Sequence, residues 1–187
     1  HDGCLFIVDG RNIRRSEPGF VGTFQRDTFA PLPGEPTGGF SFAGRNYATT
    51  EMSIFRIEDT ASGNIVARAL PSGRGLVAPQ SWDATGLGVG VGLDRNGFWS
   101  MDAEENIRPI MEENRTLFAR LNPGALSRAV GRWNPVKREY VCAVPEAGTS
   151  GNSLLITWDG TGGRRQRHSI TYSSLCVTRD WRRYMLA

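Results

Sequence analysis

Lysine is nearly missing from this chain: Lys137 stands alone in a cationic total of 22, so almost every positive charge is an arginine. Arginine makes planar, two-pronged bonds to carboxylate and phosphate that lysine does not, and subunit interfaces and nucleic acid both use them. A GC-rich genome produces the same bias. The 22 cations face 19 acids, and the resulting net charge of +3 is too small to choose between those partners. Histidine is also scarce (His1 and His168), and cysteine is limited to Cys4, Cys142 and Cys176 without a CxxC pair. A structural zinc site would therefore need unusual ligands. The cysteines lie far apart in apolar, strand-like runs, as small buried hydrophobes of a reducing compartment do, although a single disulfide stays open. No run of about 18 apolar residues occurs, which excludes a spanning helix, and the start lacks a charged-then-apolar secretory pattern. The chain is expected to be soluble, with no membrane-spanning segment. It begins at His1 and enters a strand directly, as a processed product or a piece of something longer would.

Catalytic signatures are missing too. There is no GxSxG, and neither histidine has a Ser or Cys partner in a recognisable setting. "GVGVG" (88–92) mimics a phosphate-binding loop, but no Lys-Ser/Thr follows it. The expectation is no enzyme, no cofactor and no metal.

What is abundant points to strands. Gly (23), Pro (10) and 10% aromatics in 187 residues favour short strands joined by tight turns, and 39% hydrophobic residues are enough for a core in one large or two small domains. A phrase also recurs. "LFIVDGRNIRR" (5–15), "IFRIEDTASGNIVAR" (54–68) and "GFWSMDAEENIR" (97–108) share an alternating strand, an acidic turn and a returning strand that opens near Asn-Ile. "EYVCAVPEAGTSGNSLLITW" (139–158) is a looser copy. The aromatic anchors Phe6, Phe55, Trp99, Tyr140 and Tyr184 lie roughly 40 to 50 residues apart, the period of propeller blades. Period-two segments such as "SLLITW" and "HSITYSSLCV" exclude helical repeats of similar length.

The predicted fold is therefore all-β: antiparallel four-stranded meanders forming part of a β-propeller, with residues 1–187 a single propeller-like domain or a fragment of one. "GVGVGL", "FWSM" and "IRPI" are predicted strands, with Asn96-Gly97 supplying positive φ in the hairpin turn "DRNG". "AVGRW", "YVCAV", "NSLLITW" and "HSITYSSLCV" make one blade, joined by "NPVKRE", "PEAGTSG" and "DGTGGRRQR". Two segments depart from the pattern. Residues 111–130 place Leu117, Phe118 and Leu121 at helical spacing, with a stop near Asn122-Pro123. Residues 16–44 are expected to form a long ordered loop whose Phe20, Phe24, Phe29, Phe40 and Phe42 pack on a neighbour or on another subunit.

The repeated acids Asp9, Asp59 and Asp102, with Asn12, Asn64, Asn106 and Asn152, read as turn formers, with bound calcium the other use of such oxygen-rich loops. "SWDATG" (81–86) and "TWDGTGG" (157–163) resemble the Asp-box turn of sialidase-like propellers, a structural feature. "GRRQRH" (163–168), with Arg164, Arg165 and Arg167, and "RDWRRY" (179–184) read as solvated arginines or as a phosphate-binding surface.

"GVGLDRNGFWSMDAEENIRPI", followed by "LFARLN" and "AVGRWNPVKREYVCAVPEAGTSGNSLLITWDG", resembles the propeller-type virion proteins of tailed bacteriophages, the tail hub, nozzle or neck subunits beneath the portal. The matching positions are Trp133, Asn134, Pro135 and Tyr140 in a hairpin, then Val144, Pro145, Asn152, Leu155 and Trp158 in the next blade. The resemblance covers roughly residues 86 to 187. It implies a ring subunit of the virion tail or neck, present in host cytoplasm before assembly and active in head-tail assembly and genome ejection. Its implied partners are copies of itself, other tail, portal or fibre proteins, and transiently phage DNA; it brings no catalytic residues. In this reading Phe20, Phe24 and Phe29 bury against another chain. A carbohydrate-binding or glycan-cleaving propeller, with Trp99, Trp133, Trp158 and Trp181 as sugar platforms, is the competing class, and a cellular scaffold a third.

Overall fold

The computed structural model describes residues 4–112, 115–177 and 183–186. The chain divides into two compact units, His1–Leu76 and Val77–Ala187, where the sequence pattern predicts one domain. Both are built of antiparallel strands joined in chain order, as short alternating segments punctuated by Gly and Pro require.

In the first unit, β1 (Phe6–Asp9), β2 (Asn12–Glu17) and β3 (Phe20–Pro31) form a three-stranded sheet. A four-stranded meander follows: β4 (Pro36–Phe42), β5 (Arg45–Thr50), β6 (Ile54–Asp59) and β7 (Ile65–Ala69). Ile13 and Ala30, directly opposite each other in β2 and β3, pack with Ala48, Phe55 and Ile65 of the meander to make the core. The expected loop over 16–44 is thus corrected to β3, β4 and short connections. Phe20, Thr23, Phe24, Thr28 and Phe29 give "FVGTFQRDTFAP" the aromatic and β-branched content of a strand, and Pro33-Gly34 make the turn that follows it.

The second unit contains two further four-stranded meanders. The first is β8 (Asp83–Ala84), β9 (Gly90–Asp94), β10 (Gly97–Met101) and β11 (Ile107–Pro109). The short helix expected before Asn122-Pro123 is α1 (Arg115–Phe118), and a 3-10 turn follows at Leu126–Arg128. Next come β12 (Val130–Asn134), β13 (Glu139–Pro145), β14 (Asn152–Trp158) and β15 (Gly163–Tyr172), then the pair β16 (Ser174–Val177) and β17 (Arg183–Leu186). In the "DRNG" hairpin Asp94 pairs with Gly97, so the turn residues are Arg95 and Asn96; Gly97 takes positive φ (128°) and Asn96 does not.

β13 is buried on both sides. Tyr140, Cys142 and Val144 face a core shared with Val91, Leu93 and Phe98 of the preceding meander, while Val141 and Ala143 pack with Val130, Leu155 and Leu175. Two meanders are therefore stacked face to face, and the second is covered again on its far side. The 3-10 turn Pro79–Ser81 fastens the stack. Ser81 Oγ accepts the Leu93 N–H at 3.2 Å, and the Ser81 carbonyl accepts the buried Tyr140 hydroxyl. Asp83 of "SWDATG" does not close its own turn; its Oδ2 accepts the Trp133 N–H at 2.7 Å and ties β8 to β12. Burial of this cluster pushes the Tyr140 hydroxyl well above its ordinary range and the Cys142 thiol up to about 12. Cys142 is therefore expected to resist iodoacetamide at pH 8 until the unit unfolds, as peptide mapping after a denaturant series will read.

The other Asp-box-like segment does form a turn. Asp159 Oδ1 accepts the N–H groups of Thr161 and Gly162, both at 3.0 Å, and the Thr161 hydroxyl at 2.8 Å. Those bonds to Gly162 and Thr161 lower its carboxyl from 3.8 to about 2. Because the folded value is the lower one, the turn's contribution is present above the unfolded pKa and is lost as pH falls from about 4 to 2. Asp159→Ala should flatten the pH dependence of β14–β15 amide protection in that window, measured by hydrogen exchange against the unaltered chain.

Candidate functional site

The pairing of β1, β2 and β3 sorts their side chains onto two faces. Val8, Ile13 and Ala30 lie opposite one another, and Ile13 and Ala30 enter the core. The alternate positions make the other face: Ile7 opposite Arg14 opposite Phe29, and beside them Ser16 opposite Phe24. Leu5, two residues before Ile7, joins this row through paired bonds with Ser16: its N–H reaches Ser16 Oγ at 2.9 Å and its carbonyl accepts the Ser16 N–H at 2.8 Å. Arg14 crosses the face with its guanidinium beside Asp9, Nε to Oδ2 2.7 Å, so the charge is neutralised within the sheet.

The face is apolar and open: Phe29 is 42% exposed and Leu5 43%. Phe20, opposite Glu17 at the start of β3, is also exposed. Phe24 is half-buried. A group of large apolar side chains on one sheet face, with its cation internally paired, is suited to desolvation against another protein surface. The sequence-predicted Phe20, Phe24 and Phe29 all lie on β3, and Phe24 and Phe29 share this face with Leu5 and Ile7. Leu5 and Ile7 were not singled out from sequence: Cys4 to Val8 is a continuous apolar run, which does not say which face is covered.

The predicted arginines belong to the second unit. "GRRQRH" is not a turn: Arg164, Arg165 and Arg167 lie in β15, the edge strand of its sheet, opposite Thr157, Ile156 and Leu154 of β14. Arg164 is exposed, and the side chains of Arg165 and Arg167 lie outside the described residues. Cationic residues on an edge strand discourage unwanted strand pairing. The run 179–182 also lies outside the described residues.

The tryptophans divide by burial. Trp99 is fully buried against Trp82, ring centroids 5.6 Å apart, and Trp158 sits in the core, so neither offers a face to a sugar. Trp133 is half-buried beside Gly86, and Trp181 lies outside the described residues. "GVGVG" supplies room for this packing, since a Cβ on Gly90 would overlap the Trp82 ring.

The repeated acids are engaged in local bonds. Asp102 Oδ1 accepts the N–H groups of Glu104 at 3.0 Å and Asn106 at 2.9 Å, and the Asn106 side chain, then its main chain, holds the carboxyl below its usual range. Asp59 pairs with Arg15, while Glu58 is lowered by its bond to Arg56, with Arg68 adding to it. A general acid needs the opposite shift. Asn152 departs from the expectation of a turn former: it is buried at the head of β14 and donates to the main-chain carbonyls of Arg128 (2.7 Å) and Tyr172 (2.8 Å).

No protein-family model matches this chain, and no curated protein matches it either.

Proposed function

We propose that the chain is a structural subunit of a tailed-bacteriophage virion, part of a ring in the tail or neck that joins neighbouring components and guides genome exit. The observation that carries this reading is the recurrence of the four-stranded antiparallel meander in β4–β7, β8–β11 and β12–β15, two of them stacked face to face. Stacked meanders leave their connecting loops free for neighbours. The β12–β13 hairpin, where Trp133 pairs with Tyr140 across "NPVKRE", is one of the segments that resemble the virion proteins. The open apolar face of β1–β3 supplies a contact surface, and copies of this chain or adjoining tail, portal or fibre proteins are its partners. Quantitative mass spectrometry of purified particles tests the proposal: a fixed copy number per particle supports it, and absence from particles overturns it.

A further inference from the structure

A second surface feature, unrelated to the apolar face, lies in the second unit. It is a cleft of about 530 Å3, within the roughly 300–1,000 Å3 usual for small-molecule sites, and its lining includes Gln80, Ser127, Arg128, Ser150, Asn152 and Ser173. Its side-chain chemistry is hydroxyl, amide and one cation; no carboxylate is among the described residues that line it.

Arg128 is exposed yet held at both ends. Its carbonyl accepts Asn152 Nδ2 at 2.7 Å, and its Nη1 donates to the Ser150 carbonyl at 3.2 Å. No ion pair within the described residues neutralises it, so most of the guanidinium's five donors stay available in a fixed orientation. Asn152 is 2% exposed, and its Oδ1 has no hydrogen-bond partner. That oxygen is shut off from solvent, so Asn152 serves the cleft by holding the Arg128 carbonyl rather than by meeting an occupant.

These features narrow the ligand. Arg128 is the one cation among the described residues that line the cleft, which answers one negative charge, whereas a nucleic-acid strand presents a phosphate at every step and needs aromatic faces for its bases; Tyr172 of the lining is buried. The serines and Gln80 suit a polyol. We propose that this cleft binds an acidic saccharide, with the sugar carboxylate bidentate on Arg128 and ring hydroxyls bonded to the amide and hydroxyl groups around it. The site stands independently of the virion reading.

Titration of the whole chain with a glucuronate-containing disaccharide, its neutral glucose counterpart and inorganic phosphate, followed by amide chemical shifts, tests this. The expected result is saturable shifts at Ser150 and Asn152 with the glucuronate sugar, about tenfold tighter than with the neutral one, and about tenfold weaker in Arg128→Gln. The unaltered chain's preference for the acidic sugar keeps the test decisive even if the variant folds poorly. No saturable binding of the glucuronate sugar, equal binding of the neutral one, unchanged affinity in a folded Arg128→Gln, or phosphate binding as tightly would each overturn the proposal.

Discussion

Gly131→Ala is expected to cost the second unit about 2–4 kcal/mol, the sum of an overpacked core and a broken buried hydrogen bond. A Cβ at Gly131 would overlap the Tyr140 hydroxyl and crowd the Ser81 carbonyl, so the ring must leave the position from which it fastens the 3-10 turn to β13. Tyr140→Phe breaks the same bond without the collision and should cost about 1–3 kcal/mol, because the Ser81 carbonyl is left without that donor. The double variant is the sharper test. Both changes destroy one interaction, so its cost should fall short of the sum of the two single costs, as urea unfolding followed by circular dichroism will show. Strict additivity would mean that the two positions do not act through one another.

Trp99→Ala is the second large effect, about 3–5 kcal/mol, because the whole indole is buried and its removal leaves a cavity. Trp99 packs on Trp82, whose ring lies over Gly90, so its removal also takes away the contact that supports this second ring. A fall of roughly 10 °C or more in the thermal midpoint is expected. Trp99→Phe should recover part of it, since an aromatic ring restores most of the lost contact area. A Trp99→Ala midpoint within a degree or two of the parent would contradict the buried placement.

Much of the architecture is legible where pattern and punctuation agree. "NSLLITW" is β14 residue for residue, because alternation is bounded by Gly151 on one side and Asp159-Gly160 on the other. The meander from Gly90 to Pro109 is legible for the same reason. Two errors have physical causes. In 16–44, Gly and Pro mask the strand signal of Phe20, Thr23, Phe24, Thr28 and Phe29, which rests on aromatic and β-branched content rather than on period-two alternation. The equal spacing of aromatic anchors also does not mark equivalent strands. Phe55 and Trp99 stand on the third strand of their sheets, β6 and β10, whereas Tyr140 stands on the second, β13, because the long connection between β11 and β12 takes up the length of a strand.

The candidate surfaces were legible unevenly. Phe20, Phe24 and Phe29 stand out in sequence because so many phenylalanines in a segment rich in Gly and Pro need a surface to cover. Their partners Leu5 and Ile7 emerge only from strand register. The saccharide cleft leaves no local motif at all: Gln80, Arg128, Ser150 and Ser173 come from separate connections, and Asn152 resembles any turn asparagine until its two carbonyl partners are seen.

Hydroxyl-radical footprinting of Phe20, Phe24 and Phe29, in the isolated chain and in purified particles, tests the central claim most directly. Strong labelling of Phe20 and Phe29 in the free chain, with protection of the group in the particle, is the expected result. Full labelling of all three in the particle would contradict it.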